Sequence, residues 1–584
     1  MKWSLRSKSN VKVGASYYPE LSSPATWESD LRTVRDIGLC VLRCGEFAWS
    51  RLSPEPGAWD TRWARGFLDV AHALGFRIIW CTPSATPPPF LFDQWPDLHA
   101  VTHEGEEVPV GVRRQYCPAH EGYRALCADT AARLATDLGN HPAVIGWQVD
   151  NELAGCGFTC WCPRCGGEFQ RWLMQRYGTL DALNAAWQTD VWAQRYSRWE
   201  QIPIPLKSFN HAPSLKLAWR RFFSAHWLGF FRTQADALRR AGGLQPITTN
   251  FYAISWMVPF DQWAWRPHLD AIGIGHYVDD VTATAFEMAL LRGLDTKPLW
   301  VLEQKAGQQN AQNLYPEDLN RMKTHLRTCA EAGAEFAVYW HLRQHQSGCE
   351  MEHGAVLRHD GKPTRIAAKV RDAIAETVPI RARPRDVRRT LVFDFDQHWA
   401  QETRPHPGTP WEYCRTLEQD WFGALCDVGG NAEIGPFTDA MTHGTTVFLP
   451  HFQTVGDSEF RALENFLERG GVCITTADFG RLDRENNVRP LRPLAAFASM
   501  PDGEMLHLKS GFRVTGHLNA QPLSGGVFWF VPEGGSPVVH LTDGVFSSPA
   551  FLESRVGDGR LIVLLSAFDR ASLATILNST TPAG

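Results

Sequence analysis

Short apolar runs alternate with helical segments along the first two thirds of this chain, and that alternation restricts the fold more than anything else in the sequence. The runs fall at 11–16, 40–43, 77–81, 143–146, 246–250, 270–274, 298–302 and 336–339. Between them, 26–38, 63–74, 121–138, 215–240 and 318–332 read as helices. A parallel sheet covered on both faces shows continuous apolar runs rather than strict in–out alternation. Eight such runs interleaved with helices over roughly 370 residues predict a (β/α)8 TIM barrel with insertions. The longest insertion, at about 153–212, carries the densest Cys and Trp clusters.

Beyond Arg381-Ala382-Arg383-Pro384-Arg385, a basic, proline-containing linker, the pattern restarts. Strands at 390–394, 446–449 and 472–476 with helices at 411–425 and 458–469 predict a second, smaller α/β domain with an open parallel sheet. Residues 500–570 read mainly as strands with Gly-rich turns. The expected domains are therefore 1–383 and 384–584, since 584 residues are too many for one core. A formal net charge of -5 argues against a nucleic-acid partner. Neither a secretory signal nor an apolar stretch of about 18 residues is present, so no membrane span is expected. The 14 cysteines then read as reduced thiols in a cytoplasmic protein.

Two of the apolar runs end in acids. The fourth passes into Trp147-Gln148-Val149-Asp150-Asn151-Glu152, and the seventh, Leu299-Trp300-Val301-Leu302, into Glu303-Gln304. The carboxyl ends of barrel strands line one mouth, so Glu152 and Glu303 are expected to face each other there. A retaining glycosidase needs such a pair, with the carboxyls about 5–5.5 Å apart. The plain alternatives are a rim salt bridge for either Glu and an N-cap role for Asp150 and Asn151. Cys160-Trp161-Cys162-Pro163-Arg164-Cys165 forms a C-x-C-x-x-C cluster, with Cys117 on the preceding βα loop. Thiolates so spaced can share a tetrahedral zinc, and a four-thiolate site is structural because it leaves no open position for water. Buried reduced thiols are the alternative. No Gly-rich phosphate loop follows the strand at 390–394, so no organic cofactor is expected.

Gly14-Ala15-Ser16-Tyr17-Tyr18-Pro19-Glu20, Arg43-Cys44-Gly45-Glu46-Phe47-Ala48-Trp49-Ser50, Thr82-Pro83-Ser84-Ala85-Thr86-Pro87-Pro88 and Trp147–Glu152 closely resemble the family 42 glycoside hydrolases. The resemblance runs from about 11 to 570. It implies a retaining, exo-acting β-D-galactosidase with a barrel and a flavodoxin-like trimerisation domain, hence a homotrimer; the small β-domain that ends longer members is expected to be absent. Carried over, Glu152 is the general acid/base, Glu303 the nucleophile, and Asn151 the partner of the sugar 2-hydroxyl. Arg43 corresponds to an arginine that contacts sugar hydroxyls, with a rim ion pair to Glu46 as the alternative. Trp192 matches a platform tryptophan, Trp187 being the neighbouring candidate. In Glu350-Met351-Glu352-His353, Glu350 and His353 match residues that grip galactose hydroxyls. Cys117, Cys160, Cys162 and Cys165 match the zinc ligands, whereas the counterpart of Cys156 is not one. Two positions depart from the family: Ala311 replaces a pocket tryptophan, and Trp340-His341-Leu342-Arg343 replaces Phe-Arg-Trp-Arg. They leave an α-L-arabinopyranosidase, β-fucosidase or β-glucosidase as alternatives within the class, and a non-catalytic sugar-binding protein outside it.

Overall fold

The computed structural model describes residues 11–155, 159–207, 209–252, 259–307, 317–377, 380, 382–383, 388–404, 413–429, 433–489, 494, 503–508, 512–532, 540–543 and 547–580. Two compact units result, one of residues up to 169 with 223–383, the other of 170–222 with 384–584.

The first unit is built on β1 (Lys12–Ser16), β2 (Val41–Cys44), β3 (Arg77–Cys81), β4 (Val144–Gln148), β5 (Ile247–Thr248), β6 (Asn250–Tyr252), β7 (Ile272–His276), β8 (Leu299–Gln304) and β9 (Ala334–Tyr339). All pair in parallel in the order β5-β4-β3-β2-β1-β9-β8-β7-β6. β5 and β6 are two pieces of one stave broken at Thr249. β5 pairs with β4 and β6 with β7, so the sheet closes into the TIM barrel. Val41, Ile79, Trp300, Leu302, Phe336 and Val338 pack in one buried cluster of this unit. The Trp300 ring explains Gly146 on β4, because a Cβ there would come within 2.7 Å of it. Helices Pro24–Ile37 and Arg62–Ala73 bury Trp27, Leu31, Val34 and Ala64, Phe67, Leu68, Ala71. That spacing is the one-face pattern of a helix lying on a sheet. Among the described residues no helix is long and apolar enough to cross a membrane.

The second unit holds β10 (Arg389–Val392), β11 (Glu433–Gly435), β12 (Thr446–Leu449), β13 (Val472–Thr476), β14 (Gly503–His507), β15 (Val514–Leu518), β16 (Gln521–Pro532), β17 (His540–Thr542), β18 (Ser547–Pro549), β19 (Phe551–Val556), β20 (Gly559–Leu564) and β21 (Ser566–Phe568). One sheet runs β11-β10-β12-β13-β20-β19, parallel except for the edge strand β19. This is the flavodoxin-like order, with the first strand inside the second. An antiparallel sheet, β14-β16-β15-β17-β18 with β21 on β16, takes the rest of the strand-rich tail. The insertion read as part of the barrel domain is divided, and 170–222 groups with this unit. Ion pairs and a hydrogen bond join the segment to it. Arg221 grips Asp396 through two bonds of 2.6 Å, and Arg176 and Tyr177 reach Glu485 at 3.1 and 2.8 Å.

Candidate active site

The end of β4 is a strained turn. Asp150, Glu152 and Ala154 have φ of 61°, 49° and 55°, a left-handed conformation unfavourable for side chains with a Cβ. Each such residue costs on the order of 1–3 kcal/mol and persists only where its surroundings hold it. Here the holding groups are identifiable. The Asp150 N–H donates to Thr82 Oγ1 (2.8 Å), and its carboxylate accepts from Ser84, Tyr116 and the Asn151 N–H. The Glu152 N–H donates to Asn250 Oδ1 (2.8 Å), and its carbonyl accepts from Arg114 Nη2 (2.9 Å).

Glu303, at the end of β8, is 4% exposed and surrounded by donors. Its Oε1 accepts from Asn250 Nδ2 (2.7 Å) and lies 3.0 Å from Arg43 Nη2, while Oε2 accepts from the Tyr277 hydroxyl (2.7 Å). Burial pushes this carboxyl up to about 7, helped by the Glu152 charge and opposed by Arg43 and Tyr277. The Glu152 carboxylate meets Arg114 Nη2 at 3.2 Å and Arg113 Nη1 at 3.5 Å. Gly275 on β7 stands beside both acids. A Cβ on it would lie 3.5 Å from Glu152 Oε1 and 3.7 Å from Glu303 Cβ, so the two side chains meet over one point.

Arg43 is fully buried on β2. Its guanidinium carries five N–H donors; hydrogen bonds run to Gln148 (2.7 Å), Ser16 (3.2 Å), Glu46 (2.8 Å) and Asn151 (2.5 Å), and Nη2 is ion-paired with Glu303 at 3.0 Å. The ion pair with Glu46 therefore forms. Asn151 Oδ1 accepts from Arg43 and from Asn250 (2.9 Å), which leaves its amide nitrogen without a protein partner among the described residues.

Asn151, Glu152, Glu303, Glu350 and His353 line a single cavity, together with Phe47, Arg113, Tyr252, Tyr277 and Trp340. His353 packs edge-on against Trp340 at 4.3 Å, and burial pushes its imidazole down to about 4. Burial raises the Glu350 carboxyl, against the pull of Arg113. Trp192 is not in this unit. It lies in the turn Val191–Ala193, 76% exposed, with φ 59°. Trp187 is buried and donates to the Tyr177 hydroxyl (2.9 Å), which makes it a packing residue. Ala311 and Cys156 lie outside the described residues.

Sequence reasoning missed Asn250, Tyr277, Arg113 and Arg114. A signal existed for the first two. The fifth and sixth apolar runs also end in polar residues, Asn250 and His276-Tyr277, as the fourth and seventh do.

Cys117, Cys160, Cys162 and Cys165 are buried, with all four sulfurs within 4.8 Å of one another. Cys117 Sγ stands 3.4 Å from Cys162 Sγ and 3.5 Å from Cys165 Sγ. Four thiolates at about 2.3 Å from a tetrahedral ion would sit about 3.8 Å apart, so the cluster fits a metal of that geometry. Hydrogen bonds with its three cysteine neighbours, Cys117 foremost, drive the Cys162 thiol well below its usual range.

Comparison with known proteins agrees with this geometry. A family model described as beta-galactosidase matches residues 16–378, and a beta-galactosidase trimerisation domain matches 388–582. The chain is 30% identical over 588 residues to beta-galactosidase BgaH of Haloferax lucentense, covering 94% of this chain and 86% of that one. It is 32% identical over 489 residues to beta-galactosidase BgaA of a Thermus species, covering 79% and 74%. The solved beta-galactosidase of the haloarchaeon Halorubrum lacusprofundi superposes with a TM-score of 0.91 at 27% identity, covering 97% of this chain and 89% of that one. The chain belongs to glycoside hydrolase family 42, the beta-galactosidases.

Proposed function

We propose that this glycosidase is a retaining, exo-acting β-D-galactosidase in which Glu303 is the nucleophile and Glu152 the general acid/base. The carrying observation is the asymmetry of the two acids. Glu303 is fixed on both oxygens by Arg43, Asn250 and Tyr277, all of which favour a carboxylate. Glu152 faces it across Gly275 with only one carboxylate oxygen held by arginine. In the first step Glu303 attacks the anomeric carbon, the bond to the aglycone oxygen breaks, and Glu152 gives that oxygen its proton. In the second, Glu152 takes a proton from water, whose oxygen attacks the anomeric carbon; the ester to Glu303 breaks and the free sugar leaves with its configuration retained.

Asn151 is assigned to the 2-hydroxyl through its unpartnered amide, and Glu350 and His353 to the remaining hydroxyls. Arg43 is assigned to holding Glu303 and Asn151. Trp192 is proposed as a sugar platform; its exposure suits stacking. Trp340 on the cavity wall, where the family motif is altered, motivates the second reading, an α-L-arabinopyranosidase or another β-glycosidase. Cys117, Cys160, Cys162 and Cys165 would hold a structural zinc, which supplies a closed cross-link and no catalytic step. The matched trimerisation domain supports a homotrimer, and a four-thiol site suits the reducing cytoplasm.

A panel of nitrophenyl glycosides tests this reading. The β-D-galactoside should be cleaved fastest, ahead of the α-L-arabinopyranoside, β-D-fucoside and β-D-glucoside, with β-galactose as first product by NMR. Glu303→Ala should abolish turnover, and Glu152→Ala should regain it on the aryl substrate when azide is added. Near-parental turnover by Glu303→Ala would overturn the assignment, and sedimentation of the pure protein tests the trimer.

A further inference from the structure

We propose that Glu46 is a positioning residue for the nucleophile, acting through Arg43: two carboxylates share one guanidinium, and the share held by Glu46 limits what Glu303 receives. The inference rests on the functional reading of Glu303. The geometry is a buried chain. Arg43 Nη1 lies 2.8 Å from Glu46 Oε1 and Nη2 lies 3.0 Å from Glu303 Oε1, with Arg43 and Glu46 fully buried. The same Glu46 oxygen accepts the Tyr18 hydroxyl at 2.7 Å, and that hydroxyl in turn accepts the Trp340 indole N–H at 2.7 Å. Glu46 Oε2 is buried with no N–H or O–H donor on it among the described residues. Both oxygens of Glu20, which feels the Glu46 charge, are likewise buried without a hydrogen-bond partner among the described residues.

Arg43 thus stands between two acids, Glu46 and Glu303, and the arrangement has a direction. Arg43 and the Tyr277 hydroxyl stabilise a charged Glu303, whereas Glu152 and Glu46 oppose it. On the other side, Arg43 and Tyr18 face Glu46 favourably, while Glu20 and Glu350 and the thiols of Cys44 and Cys81 also feel its charge. A neutral isostere at 46 would keep the acceptor for Arg43 and Tyr18 but turn the guanidinium charge over to Glu303. Removing the Tyr18 hydroxyl would do the reverse, because Glu46 would then depend more on Arg43. In this arrangement Glu46 keeps Glu303 less strongly neutralised, hence more nucleophilic, than a lone Arg43–Glu303 pair would be.

The two changes have opposite signs, and that makes the test decisive. The full-length enzyme is inactivated with 2,4-dinitrophenyl 2-deoxy-2-fluoro-β-D-galactoside. Glu303 bonds to the anomeric carbon, dinitrophenolate departs without needing a proton, and the rate follows the ionisation of Glu303 alone. Glu46→Gln should move the acid limb of the inactivation rate down by about half a pH unit or more, and Tyr18→Phe should move it up. An unmoved limb, or movement of both variants in the same direction, overturns the proposal, since a purely structural role would change rates without that pattern. Should Glu46→Gln not fold, Tyr18→Phe decides alone, an upward limb supporting the proposal and any other refuting it. Wild-type enzyme that resists the reagent, or is labelled elsewhere than at Glu303, refutes the functional reading instead.

Discussion

Keeping Glu303 charged works against the stability of the fold that holds it. The side chain is buried, and its carboxyl is pushed up to about 7, against an ordinary value of about 4.3 in an unfolded chain. The folded state therefore holds this proton more tightly than the unfolded one. Its stabilising contribution is complete below the unfolded value and disappears as pH rises through about 7. Glu303→Gln removes the titration and keeps the shape. Its melting temperature should match wild type near pH 4 and exceed it at pH 8, by a free energy on the order of a few kcal/mol. Glu20, pushed up to about 8 by burial, tilts both proteins alike and drops out of the difference. Calorimetry of the pair at the two pH values checks this, and an advantage equal at both would contradict it. The Arg43 guanidinium, hydrogen-bonded to Gln148, Ser16, Glu46 and Asn151 and ion-paired with Glu303, is the counterpart of that instability, since it holds the charge where the chemistry needs it.

Strands and loops aim these side chains, and two of them give sharp predictions. On β7, the missing side chain of Gly275 leaves room beside both acids. A methyl there would meet Glu152 Oε1 at 3.5 Å and Glu303 Cβ at 3.7 Å, ordinary contacts that the barrel tolerates. Gly275→Ala should therefore melt within about 2 degrees of wild type and lose kcat/KM by about 10–100-fold, because displacements of even 1 Å at a reacting centre are costly. The second element is the loop between β3 and the helix Glu121–Leu138. Arg114 grips Glu152 through its carboxylate and its carbonyl, and Cys117 follows three residues later. Cys160 follows Glu152 by eight residues, so a metal in the cysteine cluster would tie together both segments that meet at Glu152. Displacing it with a mercurial thiol reagent should release one zinc per chain. The melting temperature should fall, because a bound metal stabilises only the folded site, and kcat/KM should fall with it. Thiols that react with no metal released would dismiss the cluster as a zinc site.

At the scale of the molecule, the sequence disclosed what repeats and concealed what depends on the path of the chain. Barrel strands came out close to their true places, β3 at 77–81 and β4 beginning one residue after the run at 143–146, because a strand buried on both faces must be apolar throughout. Glu152 and Glu303 were legible because acids end such runs. The helix Val281–Leu294 was not, since residues all around it are buried and the apolar stripe that betrays a surface helix is missing. Arg113 reaches the cavity from a loop whose course no local pattern states. Nor did any pattern show that β20, late in a strand-rich tail, pairs in parallel with β13, or that 170–222 groups with the second unit. That last grouping makes a prediction. Arg221 lies within the inserted segment and Asp396 just after β10, joined by two bonds of 2.6 Å, with Glu485 also 3.3 Å from the same guanidinium. The Arg221 side chain is only 10% exposed, and removing it takes the two-pronged partner from Asp396, leaving Arg484 at 3.6 Å, while Glu485 keeps Arg176. Arg221→Ala should cost about 1–3 kcal/mol in the second unit, seen as a lower urea midpoint and new proteolytic cuts within 170–222. Arg221→Lys should fall between, since an ammonium keeps the charge but loses the two-pronged grip. Equal protection of that segment in all three proteins would show that some other contact holds it.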